Sequence, residues 1–290
     1  MDEEIALARY TTIGTGGPAR FFARPETLDE LVELLRWAAG EGVSVETIGL
    51  GSNLLVADQG VDALVLKLAG ELAAARVEGT TLIAGGGAPN AVALHRARAA
   101  GLGGFEFASA IPGTAGGGVR MNAGAYGRDW KEVMVEAVVV DAAGARTLAV
   151  DDLHLSYRHS SIRSGQVVAE VRFQLEPRPT EEVKARVAKL LAERKATQPT
   201  NKRTFGSVFK NPSEGPGAGR LIEECGLKGH RIGGAQFSPR HANFIENPGG
   251  ATSADCIALI VEARAKVLER FGVRLEHEVQ FLGRLDLPPA

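Results

Sequence analysis

Residues 111–127 read IPGTAGGGVRMNAGAYG. Six of these seventeen positions are glycine. Each glycine adds backbone entropy that folding must remove, so a cluster marks a geometric demand: positive φ, or main chain lying close against something. A flexible linker fits poorly, because Ile111, Val119, Met121 and Tyr126 are apolar or aromatic and Pro112 stiffens the entry. Two readings stay open: a set of tight turns, and backbone held close to a ligand.

A second glycine stretch lies upstream. GLGSNLLV (49–56) follows a strand and contains G-x-G, as a dinucleotide-binding turn would. Leu54 stands where the third glycine belongs, and Leu54 to Ala57 read as extended, so no helix opens to hold a pyrophosphate. GTGGPA (14–19) has no hydrophobic strand before it, and no Walker lysine motif occurs. An anion can also be held by consecutive N–H groups in a glycine-rich turn. Ser52 and Asn53 add side-chain donors, unless they serve only to cap a local turn. Two such loops, 49–56 and 111–118, could grip one long dinucleotide from two sides.

The rest of the chain bounds this reading. It has 290 residues, 44% hydrophobic and 23% charged, enough for two domains with real cores. A net charge of −2 creates no strong field toward nucleic acid or membrane. The two cysteines, Cys225 and Cys256, form no C-x-x-C pair, which argues against a zinc site or disulfide scaffold and fits a reducing cytosol. No apolar run is long enough to span a bilayer, and the acidic start MDEEIALARY lacks a signal-peptide pattern, so a cytoplasmic location is expected. No metal is expected.

Thr27 and Glu30 offer a capping box for a helix carrying Leu28, Leu31, Leu35 and Ala38. Strands are expected at 43–48 and 61–68, and a strand and turn around Gly79. A helix over 89–100, an antiparallel pair around 142–145 and a strand ending at Leu175 follow. EPRPT (176–180) breaks the pattern, because its prolines cannot continue a strand. Beyond it come helices from Thr180 to about Arg194, over 219–225, and from about Ser253 to Phe271. The last is capped by Thr252 and Asp255 and stopped by Gly272. VRLEHEVQF (273–281) alternates like a strand. The element order implies an α+β fold.

The first half resembles the flavin-binding unit of the oxidases typified by vanillyl-alcohol oxidase and p-cresol methylhydroxylase. The pairing of GLGSNLLV with IPGTAGGGVRMNAGAYG resembles the UDP-N-acetylenolpyruvoylglucosamine reductase (MurB) family in particular. YTTIGTGGPA, LSYRHSSI (155–162), GSVFKNP (206–212), IGGAQFSPRHANFIEN (232–247) and LEHEV (275–279) extend the match in order along most of the chain. The resemblance implies an FAD-binding domain over 1–176, with subdomains of about 1–66 and 67–176, and a smaller α+β substrate domain over 180–284.

It also implies noncovalent FAD, with NADPH as co-substrate. The cofactor residues would be Gly49, Leu50, Gly51, Ser52, Asn53, Leu54 and Leu55 in the first loop. Ser109, Ile111, Pro112, Gly113, Thr114, Gly117, Gly118 and Val119 would serve in and beside the second. Neither loop holds a histidine or cysteine for a covalent link. On this reading the glycines let main chain lie against the pyrophosphate and the isoalloxazine. The implied reaction is a reduction in two halves. NADPH reduces the flavin, and the flavin then reduces UDP-N-acetylglucosamine enolpyruvate to UDP-N-acetylmuramate for peptidoglycan synthesis. Lacking a Rossmann site, the chain is expected to let NADPH borrow the substrate cleft.

Three side chains match the family's catalytic positions. Arg158 in SYR can clamp a carboxylate and offset the charge of an enolate. Ser207 in GSVFKNP is the implied proton donor, effective only where geometry is fixed and the carbanion is a stronger base. Glu278 in LEHEV would be kept protonated by the nearby substrate carboxylate, with Glu276 the competitor on the same face. Tyr157, Lys202, Lys210, Asn211, Gln236, His241 and Asn243 are the candidates for holding the nucleotide sugar, with Arg203 beside them. Tyr126 and Asn122 line the flavin cleft or simply pack. Ile162 departs from the family's more frequent aromatic, and the short chain resembles the subclass without an added tyrosine loop. A monomer without membrane or nucleic-acid partners is expected. The competing readings are an FAD-dependent sugar or hydroxy-acid oxidase that keeps the fold, and a non-catalytic nucleotide-sugar binder.

Overall fold

Helix α1 (Leu28–Gly40) begins where its cap demands: the Thr27 side chain accepts a hydrogen bond from the Glu30 N–H. The Glu30 carboxylate accepts from the Glu26 N–H at 2.7 Å rather than closing the box on Thr27. The computed structural model describes residues 1–288. Within them the chain forms two compact units. One comprises Met1–Glu3, Phe21–Leu50 and Ala63–Arg194; the other comprises Glu4–Arg20, Gly51–Asp62 and the chain from Lys195 onward. These limits lie elsewhere than the functional division expected at 176–180, because two early segments, 4–20 and 51–62, pack with the C-terminal residues.

The first unit is built on a five-stranded antiparallel sheet. Its order is Gly144–Ala149, Met134–Asp141, Val167–Gln174, Thr81–Gly85 and Ala75–Glu78. Both hairpins expected from the sequence are present. Helix α2 (Asn90–Ala99) covers one face, where Phe105, Phe107, Trp130 and Phe173 form the centre of the core. Leu31, Leu35 and Ala38 of α1 pack with Val140, Val167 and Ala169, which belong to a second cluster. The strand Val45–Thr47 pairs in parallel with Leu64–Leu66.

The glycine stretch holds a helix that the sequence did not suggest: α3, Ala115–Met121. Its composition disfavours helix by about 1 kcal/mol per glycine. Tertiary packing overrides that. A Cβ on Gly116 would sit 2.9 Å from the Gly86 carbonyl oxygen, and one on Gly118 would sit 2.6 Å from Trp130 Cζ2. These two glycines therefore let a helix lie against the sheet and the tryptophan. Close packing within the protein is thus one demand that these two glycines meet.

EPRPT is also not a clean break. Glu176 and Pro177 pair antiparallel with Gly103 and Leu102, before helix α4 (Thr180–Thr197) begins. Proline is tolerated because this ladder is two residues long and lies at an edge.

The second unit carries a four-stranded antiparallel sheet in the order Thr204–Ser207, Phe244–Glu246, Ala235–Phe237 and Arg231–Ile232. Helices α5 (Ala218–Glu224) and α6 (Ser253–Phe271) pack on it around Phe205, Phe209, Phe237, Leu259 and Ile260. The Thr252–Asp255 capping box and the left-handed Gly272 stop of α6 are both formed. The strand expected over 273–281 is shorter: only Gln280–Leu282 forms a ladder, parallel to Leu54–Val56. The extended residues before it divide their hydrogen bonds. Glu276 and Glu278 bond Lys210 and Val208, and Gln280 then bonds Asn53. The α+β class read from the element order is the one observed.

Candidate functional site

Arg158 sits at the tip of a tight turn in the first unit. Ser156 and His159 close the turn by exchanging N–H···O bonds at 3.1 Å. Arg158 adopts φ 55°, a conformation uncommon outside glycine and concentrated at functional sites. Its Nη2 donates to the Gly124 carbonyl at 2.9 Å, and its guanidinium lies 4.9 Å from the Tyr157 ring centroid. Tyr157 is 52% exposed. Gly124 belongs to a second tight hairpin, in which Gly124 and Ala125 pair with Asp129 and Arg128. Tyr126 and Gly127 form its tip, both at positive φ, and the Tyr126 hydroxyl donates to the Leu190 carbonyl at 2.9 Å. Ile162, the departure from the family pattern, is buried in the main core.

In the same unit the start of the first glycine loop touches the second. A Cβ on Gly49 would lie 2.8 Å from Thr114 Oγ1. Lys67 Nζ donates to the Gly49 carbonyl at 2.6 Å. Burial, and then the charge of Arg24, push the Lys67 ammonium below its usual pKa. Thr114 caps α3, accepting from the Gly117 N–H. Asn90, buried and not singled out in the sequence, fixes the loop by donating from Nδ2 to the Ile111 carbonyl and from its N–H to that of Gly113. Val119 is fully buried and packs in the core.

Two features of this loop are compatible with the FAD expected against it. The Ser109 hydroxyl is buried without a hydrogen-bond partner among the described residues, the state of a donor reserved for a bound group. A Cβ on exposed Gly117 would meet only Thr114 Oγ1, at 3.5 Å, so open space lies over that main chain. Leu50 is 40% exposed.

The second unit brings Ser207 and Glu278 onto neighbouring backbones. Ser207 ends a strand paired with Phe244. The next residue, Val208, accepts a hydrogen bond from the Glu278 N–H at 2.7 Å. Residues 51–53 of the first glycine loop join them. Asn53 Nδ2 donates to the Glu278 carbonyl at 3.2 Å, and the Asn53 carbonyl accepts from the Gln280 N–H at 3.0 Å. Gly51 takes φ 65°, and a Cβ there would collide with the Tyr10 carbonyl. Thr12 fastens the loop to the serine strand: its N–H donates to the Gly51 carbonyl at 3.1 Å and its hydroxyl donates to the Thr204 carbonyl at 2.5 Å. Leu54 and Leu55 continue into the ladder with Gln280 and Phe281. Glu276 is exposed and its carboxylate pairs with Lys210 at 3.4 Å, whereas Glu278 is half-buried.

The nucleotide-sugar candidates divide by what they already hold. The Asn243 amide is spent on Phe209, accepting from its N–H at 2.9 Å and donating to its carbonyl at 2.8 Å. It clamps the strand that presents Ser207. Asn211 Oδ1 accepts from the Ala218 N–H at the start of α5. Gln236 donates to Glu246 at 3.3 Å. His241 Nδ1 accepts from the Asn243 N–H, and burial pushes its imidazole below the usual pKa, so it is neutral at pH 7. Lys202 and Arg203 are exposed.

Residues 198–282 match the family described as UDP-N-acetylenolpyruvoylglucosamine reductase, C-terminal domain, and residues 19–148 match FAD binding domain. UDP-N-acetylenolpyruvoylglucosamine reductase 2 of Symbiobacterium thermophilum is 45% identical over 279 residues, covering 96% of this chain and 90% of the relative. This chain belongs to the UDP-N-acetylenolpyruvoylglucosamine reductase family. The reductase of Agathobacter rectalis is 40% identical, with 97% and 93% of the two chains covered. The crystal structure of UDP-N-acetylenolpyruvylglucosamine reductase (MurB) from Thermus caldophilus superposes with a TM-score of 0.85 at 36% identity, covering 97% of this chain and 98% of that one. Among the described residues no helix is long and apolar enough to cross a membrane.

Proposed function

We propose that this reductase family member converts UDP-N-acetylglucosamine enolpyruvate to UDP-N-acetylmuramate, with NADPH as reductant and noncovalent FAD as cofactor, for peptidoglycan precursor synthesis. The observation that carries the reading is the junction at Val208. It sets the backbones of Ser207 and Glu278, far apart in sequence, side by side, and the Glu278 carbonyl in turn accepts from Asn53 of the first glycine loop.

Gly49–Leu55, Ser109, Ile111–Thr114 and Gly117 would hold FAD; Gly118 and Val119 support that loop from the core. Bound FAD would supply the hydride chemistry that links NADPH to the enolpyruvyl double bond. The chain's own residues manage the charge and the proton. Hydride addition at one carbon leaves negative charge on the neighbouring carbon and its carboxylate. Arg158, fixed at its turn, offsets that charge through a guanidinium that is always protonated. Ser207 gives its hydroxyl proton to the carbanion, and the clamp of Asn243 on Phe209 holds its strand in register. Glu278, in protonated form, donates to the enolate oxygen. Lys202, Lys210, Asn211, Gln236, His241 and Tyr157 remain the residues for the nucleotide sugar.

The same reading assigns cofactor binding to 1–176 and the nucleotide sugar to 180–284, and makes the chain a cytoplasmic monomer without membrane or nucleic-acid partners. NADPH competes with the nucleotide substrate for one site. The test is turnover. NADPH consumption that requires the enolpyruvyl nucleotide supports the reductase. Peroxide formation from a simple alcohol would support an oxidase, and a purified protein that binds no flavin would support a non-catalytic binder.

A further inference from the structure

We propose that Asn122 is a positioning residue for Arg158, holding the turn that carries the guanidinium. The inference rests on the reading of Arg158 as the cation that meets the substrate.

Asn122 caps the C-terminus of α3 in the left-handed conformation, φ 40°, and is 1% exposed. Glycine is the usual residue at such a position, because it carries no Cβ penalty. Asparagine therefore brings something through its side chain. Both amide hydrogens and the amide oxygen are used, and the bonds reach two segments, 129–131 and the turn at Ser156. Nδ2 donates to Asp129 Oδ2 at 2.9 Å and to the Ser156 carbonyl at 3.1 Å, while Oδ1 accepts from the Lys131 N–H at 3.0 Å.

The Ser156 carbonyl also accepts the His159 N–H that closes the Arg158 turn. Asn122 thus bonds the closing link of that turn. Its Asp129 bond ends on the hairpin whose other strand, at Gly124, accepts the Arg158 guanidinium. Arg158 is held by two tethers that meet in one hairpin: main chain through Asn122, side chain through Gly124. With the first tether gone, a turn bearing a non-glycine residue at φ 55° has less to over-determine it. A displacement of about 1 Å at a reacting centre can cost about 10²-fold in rate.

The experiment separates positioning from folding. Asn122→Asp loses the donor to Ser156 and sets two carboxylates against each other. The exchanged pair Asn122→Asp with Asp129→Asn restores a hydrogen bond within the hairpin but not the donor to Ser156. Flavin absorbance in stopped flow reads the two half-reactions of the holoenzyme, and thermal melting reads stability. The expected result is that the exchanged pair recovers the melting temperature lost by the single variant. It still reoxidises with the enolpyruvyl nucleotide about 10²-fold more slowly, while reduction by NADPH stays within about twofold. Adding Arg158→Ala to the pair costs little more. Asn122→Gly, which keeps the left-handed backbone and adds no charge, gives the same split should the exchanged pair fail to fold. Recovery of reoxidation together with stability would overturn the proposal, as would equal slowing of both half-reactions. Arg158→Ala alone is the control: reoxidation unchanged in that variant would refute the reading of Arg158, and this inference with it.

Discussion

Two neighbouring glycines of α3 should respond oppositely to the same substitution. Gly118→Ala places a Cβ 2.6 Å from Trp130 Cζ2 and 2.7 Å from its Nε1. The indole is fully buried and has no room to yield. Phe105 and Phe107 stand edge-on at 5.2 and 5.6 Å, with Phe173 at 6.0 Å. Overpacking of this kind costs about 1–3 kcal/mol, against a helix-propensity gain of about 1 kcal/mol. A net loss of up to about 2 kcal/mol is expected where the ring must shift. Gly117→Ala meets only Thr114 Oγ1 at 3.5 Å, so the propensity gain of about 1 kcal/mol stands unopposed in the flavin-free protein. At about 2–4 °C per kcal/mol for a chain of this class, the melting temperatures should separate by about 2–12 °C, with Gly117→Ala above wild type and Gly118→Ala below. Melting with and without FAD, together with flavin titration, supplies the assay. Gly117→Ala should bind FAD more weakly despite its greater intrinsic stability. A stable Gly118→Ala, or a Gly117→Ala variant that melts low yet binds FAD normally, would refute the assignment of one glycine to protein and the other to cofactor.

Two further outcomes follow from the second unit. Burial raises the Asp255 carboxyl, but the N–H groups of Thr252 and Gly234 and the Thr252 side chain outweigh it and hold the pKa below the ordinary value. A depressed carboxylate contributes stability above its unfolded pKa of about 3.9, and loses it as pH falls through the folded value. Asp255→Asn should therefore be less stable than wild type at pH 7, with the gap closing below about pH 4; a gap that persists at low pH contradicts this. Cys256 is fully buried, and burial followed by the charges of Asp255 and Asp58 pushes its thiol up to about 12. A thiol reagent at pH 8 should label Cys225 in the native protein and reach Cys256 only in denaturant; native labelling of Cys256 would show that the α6 core opens.

Elements with their own local signals were legible in the sequence. The Thr27 and Thr252 caps start their helices at the expected residues, because a capping hydroxyl and the apolar stripe behind it lie close in sequence. Helix α3 was hidden because its glycines argue against helix, and the reason for them, Gly86 and Trp130, is supplied by the tertiary fold. The final strand was overextended because alternation reports which side faces the core, not which neighbour takes the hydrogen bonds. Here Val208 and Lys210 take some, and Asn53 takes the next. Of the site, the motif residues Arg158, Ser207 and Glu278 stood out by resemblance alone. Thr12, which fastens the first glycine loop, and Asn90, which fixes the second, did not, and Asn122 was visible only as a residue lining the cleft or packing, since a buried amide or hydroxyl reveals its partners only once distant loops meet. Asn243 was visible, but only as a candidate substrate contact; its two bonds to the main chain of Phe209 were not.

The central claim is that Ser207 protonates the substrate and takes no part in accepting electrons from NADPH. Stopped-flow absorbance of the flavin in Ser207→Ala tests it most directly. Bleaching by NADPH should proceed as in wild type, and the return of colour on adding UDP-N-acetylglucosamine enolpyruvate should slow by about 10²-fold or more. Equal slowing of both phases, or a normal return of colour, would contradict it.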